Sequence, residues 1–223
     1  MAPVAVVFDF DGVLVDSERF HCRTLGEALE ERGWRGVEWE EYRDALMGFD
    51  DRDAFREALR ARGVEASEAL VAELVEAKAR RFAALAERGE IKALPGAAEW
   101  VALCASRRPC GLCSGALRSD VAPVLRGMGL EKAFAAWVTA EEVSKSKPDP
   151  ECYLLCAARL GADPRRCVAF EDTLDGVRSA RAAGLAVVGV RTTLDGAALE
   201  AAGAAWSVPG LADMRWNMLE ALP

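Results

Sequence analysis

The sequence is poor in the features that mark several large functional classes. It has one histidine among its 223 residues, and no apolar run approaches the ~20 residues that span a bilayer. The opening MAPVAVVFDF carries no basic residue ahead of its apolar run, so it does not have the pattern of a signal peptide. The net charge is −8 and no basic patch or arm is present, which argues against nucleic acid. We therefore expect a cytoplasmic protein without membrane or nucleic-acid partners.

The seven cysteines do not indicate disulfides or zinc. Their number is odd, and the one C-x-x-C pair, Cys110 and Cys113, lies inside a short apolar run. With a single histidine and no second C-x-x-C, the chain lacks the ligand spacing of a zinc site. We expect buried, inert thiols.

Short apolar runs recur along the chain and predict a parallel sheet. They do not alternate with polar residues, so both faces of each strand are expected to be buried under helices. Helical patterns stand between them, which predicts an α/β fold with a doubly wound, Rossmann-like parallel sheet. The five clear runs are VAVVF (4–8), CGLC (110–113), AWVT (136–139), CVAF (167–170) and AVVGV (186–190), with a weaker sixth near 204–208.

Residues 16–93 have a different pattern. They contain no convincing strand and show four amphipathic helical stretches, at roughly 17–32, 38–46, 52–62 and 67–88. This indicates an all-helical cap domain inserted after the first strand. The α/β core is then discontinuous and comprises residues 1–15 and 94–223.

Polar residues follow four of the predicted strands. Ligands of an open parallel sheet bind beyond the carboxyl ends of its strands, so these side chains are expected to converge at one edge. They are Asp9 and Asp11 after the first run, Ser114 after the second, Lys147 some way after the third, and Glu171 and Asp172 after the fourth.

Four converging acids predict a metal ion. Brought together unpaired, Asp9, Asp11, Glu171 and Asp172 would repel one another and their pKa values would rise. Mg²⁺ relieves this, because it prefers carboxylates, water and phosphate oxygens. A nearby lysine and serine supply a charge and a hydroxyl for a phosphoryl oxygen. One carboxylate can then attack phosphorus, and another can transfer the proton.

The stretches DFDGVLVDSE, LCSG, KP and FEDTLDG resemble the four motifs of the haloacid dehalogenase-like hydrolases. The resemblance spans essentially the whole chain and is strongest to the small phosphatases and phosphomutases that carry a helical cap after the first motif. It implies that Asp9 is the nucleophile and a metal ligand. It also implies that Asp11 is the general acid and base, with its backbone carbonyl at the metal.

The same resemblance assigns roles to the later motifs. Ser114 and Gly115 correspond to the phosphate-binding second motif, and Lys147 to the third. Glu171 and Asp172 correspond to the metal-binding fourth motif. Ala116 departs from the pattern, because many relatives have a hydroxyl or amide residue at this position.

Three basic residues of the insert are candidates for substrate contacts. β-Phosphoglucomutase and its relatives carry a histidine, an arginine and a lysine facing the cleft, and His21, Arg52 and Lys78 stand at similar positions. Structural alternatives remain open: His21 can be a packing residue, and Arg52 can pair with an acid on the surface. Lys78 can lay its stem on the core and extend its ammonium into water.

These observations predict a Mg²⁺-dependent phosphatase acting on a small phosphorylated metabolite, such as a sugar phosphate or phosphoglycolate, through an aspartyl-phosphate. A β-phosphoglucomutase-like phosphomutase is the alternative, because it uses the same two aspartates. Ala116 and Arg118 depart from the mutase pattern and favour the phosphatase. A phospho-acceptor signalling or binding domain is the non-enzymatic alternative. We expect a monomer or a small homo-oligomer.

Overall fold

A six-stranded parallel sheet lies at the centre of residues 2–222, the part of the chain that the computed structural model describes. In chain order the strands are β1 (Ala5–Phe8), β2 (Val15–Asp16), β3 (Lys92–Ala93), β4 (Cys110–Cys113), β5 (Ala136–Val138), β6 (Cys167–Glu171), β7 (Ala186–Val190) and β8 (Trp206–Val208). The order in the sheet is β5-β4-β1-β6-β7-β8. It reverses at β1, as in doubly wound folds, so the predicted architecture is confirmed.

The central strands are buried on both faces, which explains their unbroken apolar runs. Alternate residues of β1 enter different cores: Val6 and Phe8 pack on one side of the sheet, and Ala5 and Val7 on the other. Phe8 stacks on Phe170 of β6 at a centroid distance of 5.1 Å. This packing holds the ends of β1 and β6 side by side.

Helices cover the sheet and build the insert. They are α1 (Glu18–Glu30), α2 (Trp39–Ala45), α3 (Asp51–Ala61), α4 (Glu68–Glu87), α5 (Ala97–Ala105), α6 (Arg118–Gly127), α7 (Glu151–Arg159), α8 (Leu174–Ala182), α9 (Gly196–Ala202) and α10 (Trp216–Glu220). Helices α1 to α4 match the four predicted stretches of the cap. They enclose a core of their own, which includes Leu25, Phe55 and Leu74.

The expectation that residues 16–93 contain no strand is wrong at both ends of that segment. β2 and β3 form an antiparallel ribbon in which Val15 faces Ala93 and Asp16 faces Lys92. Strands of two residues are too short to leave a hydrophobic pattern in the sequence. The ribbon joins the two connections between core and insert, and the domain boundaries at 15/16 and 93/94 stay a prediction.

Helix α6 was missed by the sequence analysis. Pro123 lies in its interior, and a proline inside a helical pattern normally argues for a break. The helix packs against α4 and so joins the core to the insert.

Two further expectations concern the state of the cysteines and the absence of membrane spans. All seven cysteines are free and buried, as expected. Burial raises the pKa of Cys110 to about 12, whereas a hydrogen bond with the Cys113 thiol lowers the pKa of Cys152 to about 7, so the expectation of inert thiols does not extend to Cys152. Across residues 2–222, we find no helix with the length and apolar character needed to cross a membrane.

Candidate active site

Three carboxylates meet at the carboxyl edge of the sheet, where its strand order reverses. β1 and β6 run in parallel register with Phe8 beside Phe170, so Asp9 leaves the sheet next to Glu171. Asp9, Glu171 and Asp172 are buried, and each offers an oxygen within 4.8 Å of the others. The backbone register therefore produces the convergence that the strand-end residues predicted.

Lys147 lies between two of these acids. It follows β5 after a short 3₁₀ turn, Ala140–Glu142. Its Nζ is 2.6 Å from Asp9 Oδ1 and 2.7 Å from Glu171 Oε1. Burial acts against the charged ammonium, but the two carboxylates outweigh it and raise the pKa of Lys147. The site therefore holds a positive charge at neutral pH.

The acid cluster has three carboxylates and one lysine, so negative charge is in excess. One of its carboxylate oxygens also has no partner within residues 2–222. Asp172 Oδ2 accepts a hydrogen bond from the Thr193 hydroxyl, whereas Asp172 Oδ1 is buried and has no partner within residues 2–222. Burial raises the pKa of Asp172, and the Glu171 carboxylate raises it further. Burial likewise raises the pKa of Asp9, against the opposing charge of Lys147. A cluster of hard oxygen ligands with an unmet acceptor fits Mg²⁺.

Two glycines make room for the carboxylates. Gly12 has φ of +72°, and a Cβ at this position would collide with Asp172 Oδ2. Gly176 lies in the first turn of α8, with its backbone directly against the Glu171 side chain. A Cβ at this position would collide with both carboxylate oxygens of Glu171. Each glycine stands in a motif quoted above, and each is required by the position of an acid.

The carboxylate of Asp11 has partners different from those of Asp9. It accepts a hydrogen bond from the Ser17 hydroxyl, and its Oδ1 is 3.0 Å from His21 Nε2. Burial acts to raise the pKa of Asp11, but His21 and Ser17 outweigh it and lower the pKa. Asp11 is not part of the group formed by Asp9, Glu171 and Asp172. A metal contact through its backbone carbonyl stays a prediction.

His21 and Lys78 reach the site from the insert and touch each other. Lys78 Nζ is 2.8 Å from His21 Nδ1 and 2.5 Å from Asp51 Oδ1. A lysine ammonium only donates, so Nδ1 accepts and the His21 Nε2 proton is donated to Asp11. Lys78 is 1% exposed, so the alternative of a lysine head in water is wrong. His21 also stacks on Phe82, at a centroid distance of 4.3 Å.

Arg52 does not join this group. It lies in the first turn of α3 with its side chain 56% exposed, and its nearest acid is Glu68, at 3.8 Å. Its neighbour Asp51 is the residue of this turn that contacts Lys78. A helix turns by about 100° per residue, so adjacent positions face different directions. Arg52 instead lines a groove outside the inner cavity.

The second predicted motif stands at the end of β4. Ser114 is buried, and its Oγ accepts a hydrogen bond from the backbone N–H of Ala116 at 3.0 Å. Gly115 and Ala116 line the cavity beside Asp9. Phosphate binding by Ser114 and Gly115 stays a prediction.

An inner cavity of about 80 Å³ lies between the sheet edge and the insert. It shares Asp51, Gly115 and Lys147 with an outer groove of about 780 Å³. The inner cavity is lined by Asp9, Asp11, Glu18, His21, Leu25, Tyr42, Leu46, Gly48, Phe49, Asp51, Ala54, Lys78, Gly115, Ala116, Lys147 and Thr173.

Several acids near the site were missed by the sequence analysis. Glu18 stands in the first motif, DFDGVLVDSE, and Asp51 in GFDD, but each was passed over beside a more conspicuous neighbour. Asp120 of the missed helix α6 is fully buried, and burial raises its pKa to about 6. Helix packing brings these acids together, and no spacing in the sequence indicates it.

Comparison with known proteins decides the family. Residues 4–184 match the family model of the haloacid dehalogenase-like hydrolases. The chain belongs to this family. The resemblance found in the four motifs is therefore confirmed.

Two of the relatives of this hydrolase are named as phosphatases. It is 34% identical over 204 residues to the phosphorylated carbohydrates phosphatase of Thermotoga maritima, covering 90% of this chain and 91% of that protein. It is 30% identical over 199 residues to the fructose-1-phosphate phosphatase YqaB of Escherichia coli, covering 83% and 95%. A mutant CbbY from Rhodobacter sphaeroides in complex with xylulose-(1,5)bisphosphate has a TM-score of 0.85 and 28% identity, covering 95% and 96%.

Family and relatives together define the type of reaction. The chain is a phosphoric monoester hydrolase of the haloacid dehalogenase-like type. The non-enzymatic alternative, a signalling or binding domain, is thereby excluded.

Proposed function

We propose that this hydrolase is a Mg²⁺-dependent phosphatase that cleaves a small phosphorylated sugar or polyol through an aspartyl-phosphate at Asp9. The observation that carries the proposal is the buried Asp9 carboxylate. It is bound to Lys147 and lies beside an acid cluster that has one unpartnered oxygen. The sugar class is supported by the relatives, whose names include phosphorylated carbohydrates and fructose 1-phosphate.

Three acids at the carboxyl ends of β1 and β6 would hold the metal. Asp9, Glu171 and Asp172 supply carboxylate oxygens, and the family resemblance adds the backbone carbonyl of Asp11. Held by these residues, Mg²⁺ would offset their negative charge and would supply Lewis-acid chemistry to the phosphoryl group.

Asp9 is the nucleophile of the first step. Lys147 binds Asp9 through Oδ1, and the second carboxylate oxygen forms the new bond to phosphorus as the ester P–O bond breaks. Lys147 also faces the place where the phosphoryl oxygens arrive, so its charge stabilises the negative charge of the transition state. The product of this step is an acyl-phosphate on Asp9.

Asp11 carries the proton in both steps. It protonates the leaving oxygen as the ester breaks, and it then takes a proton from the water that attacks the aspartyl-phosphate. His21 and Ser17 hold its carboxylate in place and lower its pKa in the free enzyme. An arriving phosphate dianion opposes the charge of Asp11 and raises its pKa, which favours the protonated form when the leaving group needs it.

The experiment is an assay of phosphate release on a panel of esters, with Mg²⁺ or with a chelator. The panel contains fructose 1-phosphate, sorbitol 6-phosphate, xylulose 1,5-bisphosphate, phosphoglycolate and β-glucose 1-phosphate with its bisphosphate activator. We expect Mg²⁺-dependent release from at least one sugar or polyol phosphate. We expect Asp9→Asn to abolish it, and Asp16→Asn, an exposed acid nearby, to retain it.

Two results would overturn the proposal. One is phosphate release that persists at the wild-type rate in Asp9→Asn. The other is conversion of β-glucose 1-phosphate to glucose 6-phosphate without net release of phosphate, which would identify a phosphomutase.

A further inference from the structure

We propose that Glu18 and Tyr42 form a recognition site for a hydroxyl group of the substrate, so that the enzyme selects hydroxylated phosphate esters over apolar ones. This inference rests on the proposed function and specifies its substrate. Glu18 is the first residue of α1, and Tyr42 lies in α2. Both line the inner cavity with Asp9 and Asp11, and the Tyr42 hydroxyl donates to Glu18 Oε2 at 2.7 Å.

Glu18 differs from the other acids of the cavity in having no basic side chain as a partner within residues 2–222. Its hydrogen-bond partner there is the neutral hydroxyl of Tyr42. The other three acids that line the cavity each contact a nitrogen of a basic side chain: Asp9 contacts Lys147, Asp11 contacts His21 and Asp51 contacts Lys78.

The proposed mechanism has no use for this carboxylate. Nucleophile, proton carrier and metal ligands are supplied by other residues, and an anion beside a phosphate site opposes substrate binding. Burial also raises the pKa of Glu18, as expected for an acid without a cation. We therefore expect the substrate to supply a hydrogen-bond donor that offsets the free-energy cost of burying this carboxylate.

The chemistry of the pair specifies that partner. An ionised carboxylate only accepts hydrogen bonds, and the Tyr42 hydroxyl has directed its proton to Glu18, so its oxygen accepts as well. The pair thus offers acceptors and repels a second phosphate at this place. A neutral hydroxyl group is the donor that fits.

The remaining wall of the cavity suits the carbon skeleton of a sugar or polyol. Leu25, Leu46, Phe49 and Ala54 line it beside the polar pair. Phe49 is 53% exposed, which is unusual for so large an apolar side chain. Apolar surface next to hydroxyl acceptors matches a ligand with C–H faces and hydroxyl edges.

The test compares two esters that differ only in hydroxyl groups, glycerol 1-phosphate and n-propyl phosphate. The measured quantity is the ratio of their kcat/KM values. Loss of a hydrogen bond to a charged acceptor changes such a ratio by roughly 10- to 100-fold. We expect the wild type to prefer glycerol 1-phosphate and Glu18→Ala to reduce that preference at least about tenfold. Tyr42→Phe is expected to reduce it less, and Glu30→Ala, an exposed position on the same helix, to leave it unchanged.

Each outcome separates the inference from the proposed function. If the wild type hydrolyses both esters equally well, or if Glu18→Ala and Tyr42→Phe leave the preference unchanged, the inference is wrong and the phosphatase stands. An equal loss on both esters in both variants also overturns it, because it indicates a purely structural pair. If Glu18→Ala does not fold, Tyr42→Phe decides. If no ester of either panel is hydrolysed, the proposed function itself fails.

Discussion

Two groups of acidic and basic side chains meet in this molecule. The strand-end cluster consists of Asp9, Lys147, Glu171 and Asp172. The insert cluster consists of Asp11, His21, Lys78 and Asp51. The first is held by the register of neighbouring parallel strands, whereas the second is held by the packing of α1, α3 and α4 against the sheet edge.

The two clusters differ in charge. The strand-end cluster has three acids and one lysine, and Asp172 Oδ1 is without a partner in the described chain. The insert cluster has two acids, one lysine and a neutral histidine; each acid contacts one of these nitrogens, and Asp51 Oδ2 has no partner in the described chain. The excess of acids is therefore larger in the strand-end cluster, which has the greater need of a further cation. We interpret this cluster as the proposed site for metal and phosphate, and the insert cluster as the group that orients Asp11.

The largest effect is expected at Lys147, in the strand-end cluster. Lys147→Ala removes the positive charge of the strand-end cluster and the contact with Asp9, so we expect kcat to fall by about 10³-fold. Lys145→Ala is the matched control, because Lys145 is exposed on the same loop. Steady-state phosphate release measures both. A Lys147→Ala variant within tenfold of the wild type would remove this lysine from the mechanism.

A second test concerns Asp120, which faces the insert cluster from α6. Burial raises the pKa of Asp120 to about 6, and its Oδ2 has no partner within residues 2–222. A raised pKa means that the folded protein favours protonated Asp120. The contribution of this protonated form to stability is fully present below the pKa of Asp120 in the unfolded chain, and it is lost as pH rises through about 6.

Asp120→Asn removes that pH dependence. We expect the stability of the variant relative to the wild type to increase by up to about 3 kcal/mol between roughly pH 4 and pH 7. Urea denaturation at a series of pH values measures it, with Asp16→Asn as the exposed control. A difference between variant and wild type that does not change with pH would show that Asp120 ionises normally.

A third test asks whether the insert cluster orients Asp11. His21→Asn removes the imidazole whose hydrogen bond lowers the pKa of Asp11, so that pKa should rise. Asp11 must be protonated when the ester breaks, so the alkaline limb of the pH–kcat/KM profile should move to higher pH. We expect kcat to fall by roughly 10- to 100-fold, less than for Lys147→Ala. Lys78→Met should shift the limb in the same direction. An unmoved alkaline limb in both variants would leave His21 with a packing role only.

The smallest effect is expected at Arg52. Its side chain is exposed and 3.8 Å from its nearest acid, so Arg52→Ala should change the free energy of unfolding by less than about 0.5 kcal/mol. Arg62→Ala is the contrasting variant in the same insert. The Arg62 side chain is 6% exposed and donates to Glu41 and to the Ala58 carbonyl, so we expect a loss of about 2 kcal/mol or more. Equal losses in thermal or urea denaturation would contradict this assignment.

The strand-end cluster could be predicted from the sequence because parallel strands end at one edge, so residues such as Asp9 and Glu171 meet wherever the strands pair. The insert offered a weaker signal. Lys78 could be named as a candidate for a substrate contact, but its partner Asp51 could not. Contacts between helices depend on how each helix is rotated, which a single sequence does not fix. Helix α6 was hidden by Pro123, and the role of Asp120 was hidden with it.

The central claim is that Asp9 takes up the phosphoryl group. The enzyme is mixed rapidly with a sugar phosphate that it hydrolyses, and the reaction is quenched with acid. Borohydride then reduces the acyl-phosphate to an alcohol, and peptide mass spectrometry locates the modified residue. The account predicts reduction at position 9 in the wild type and none in Asp9→Asn. Reduction at position 11 instead, or full turnover without any trapped acyl-phosphate, would contradict it.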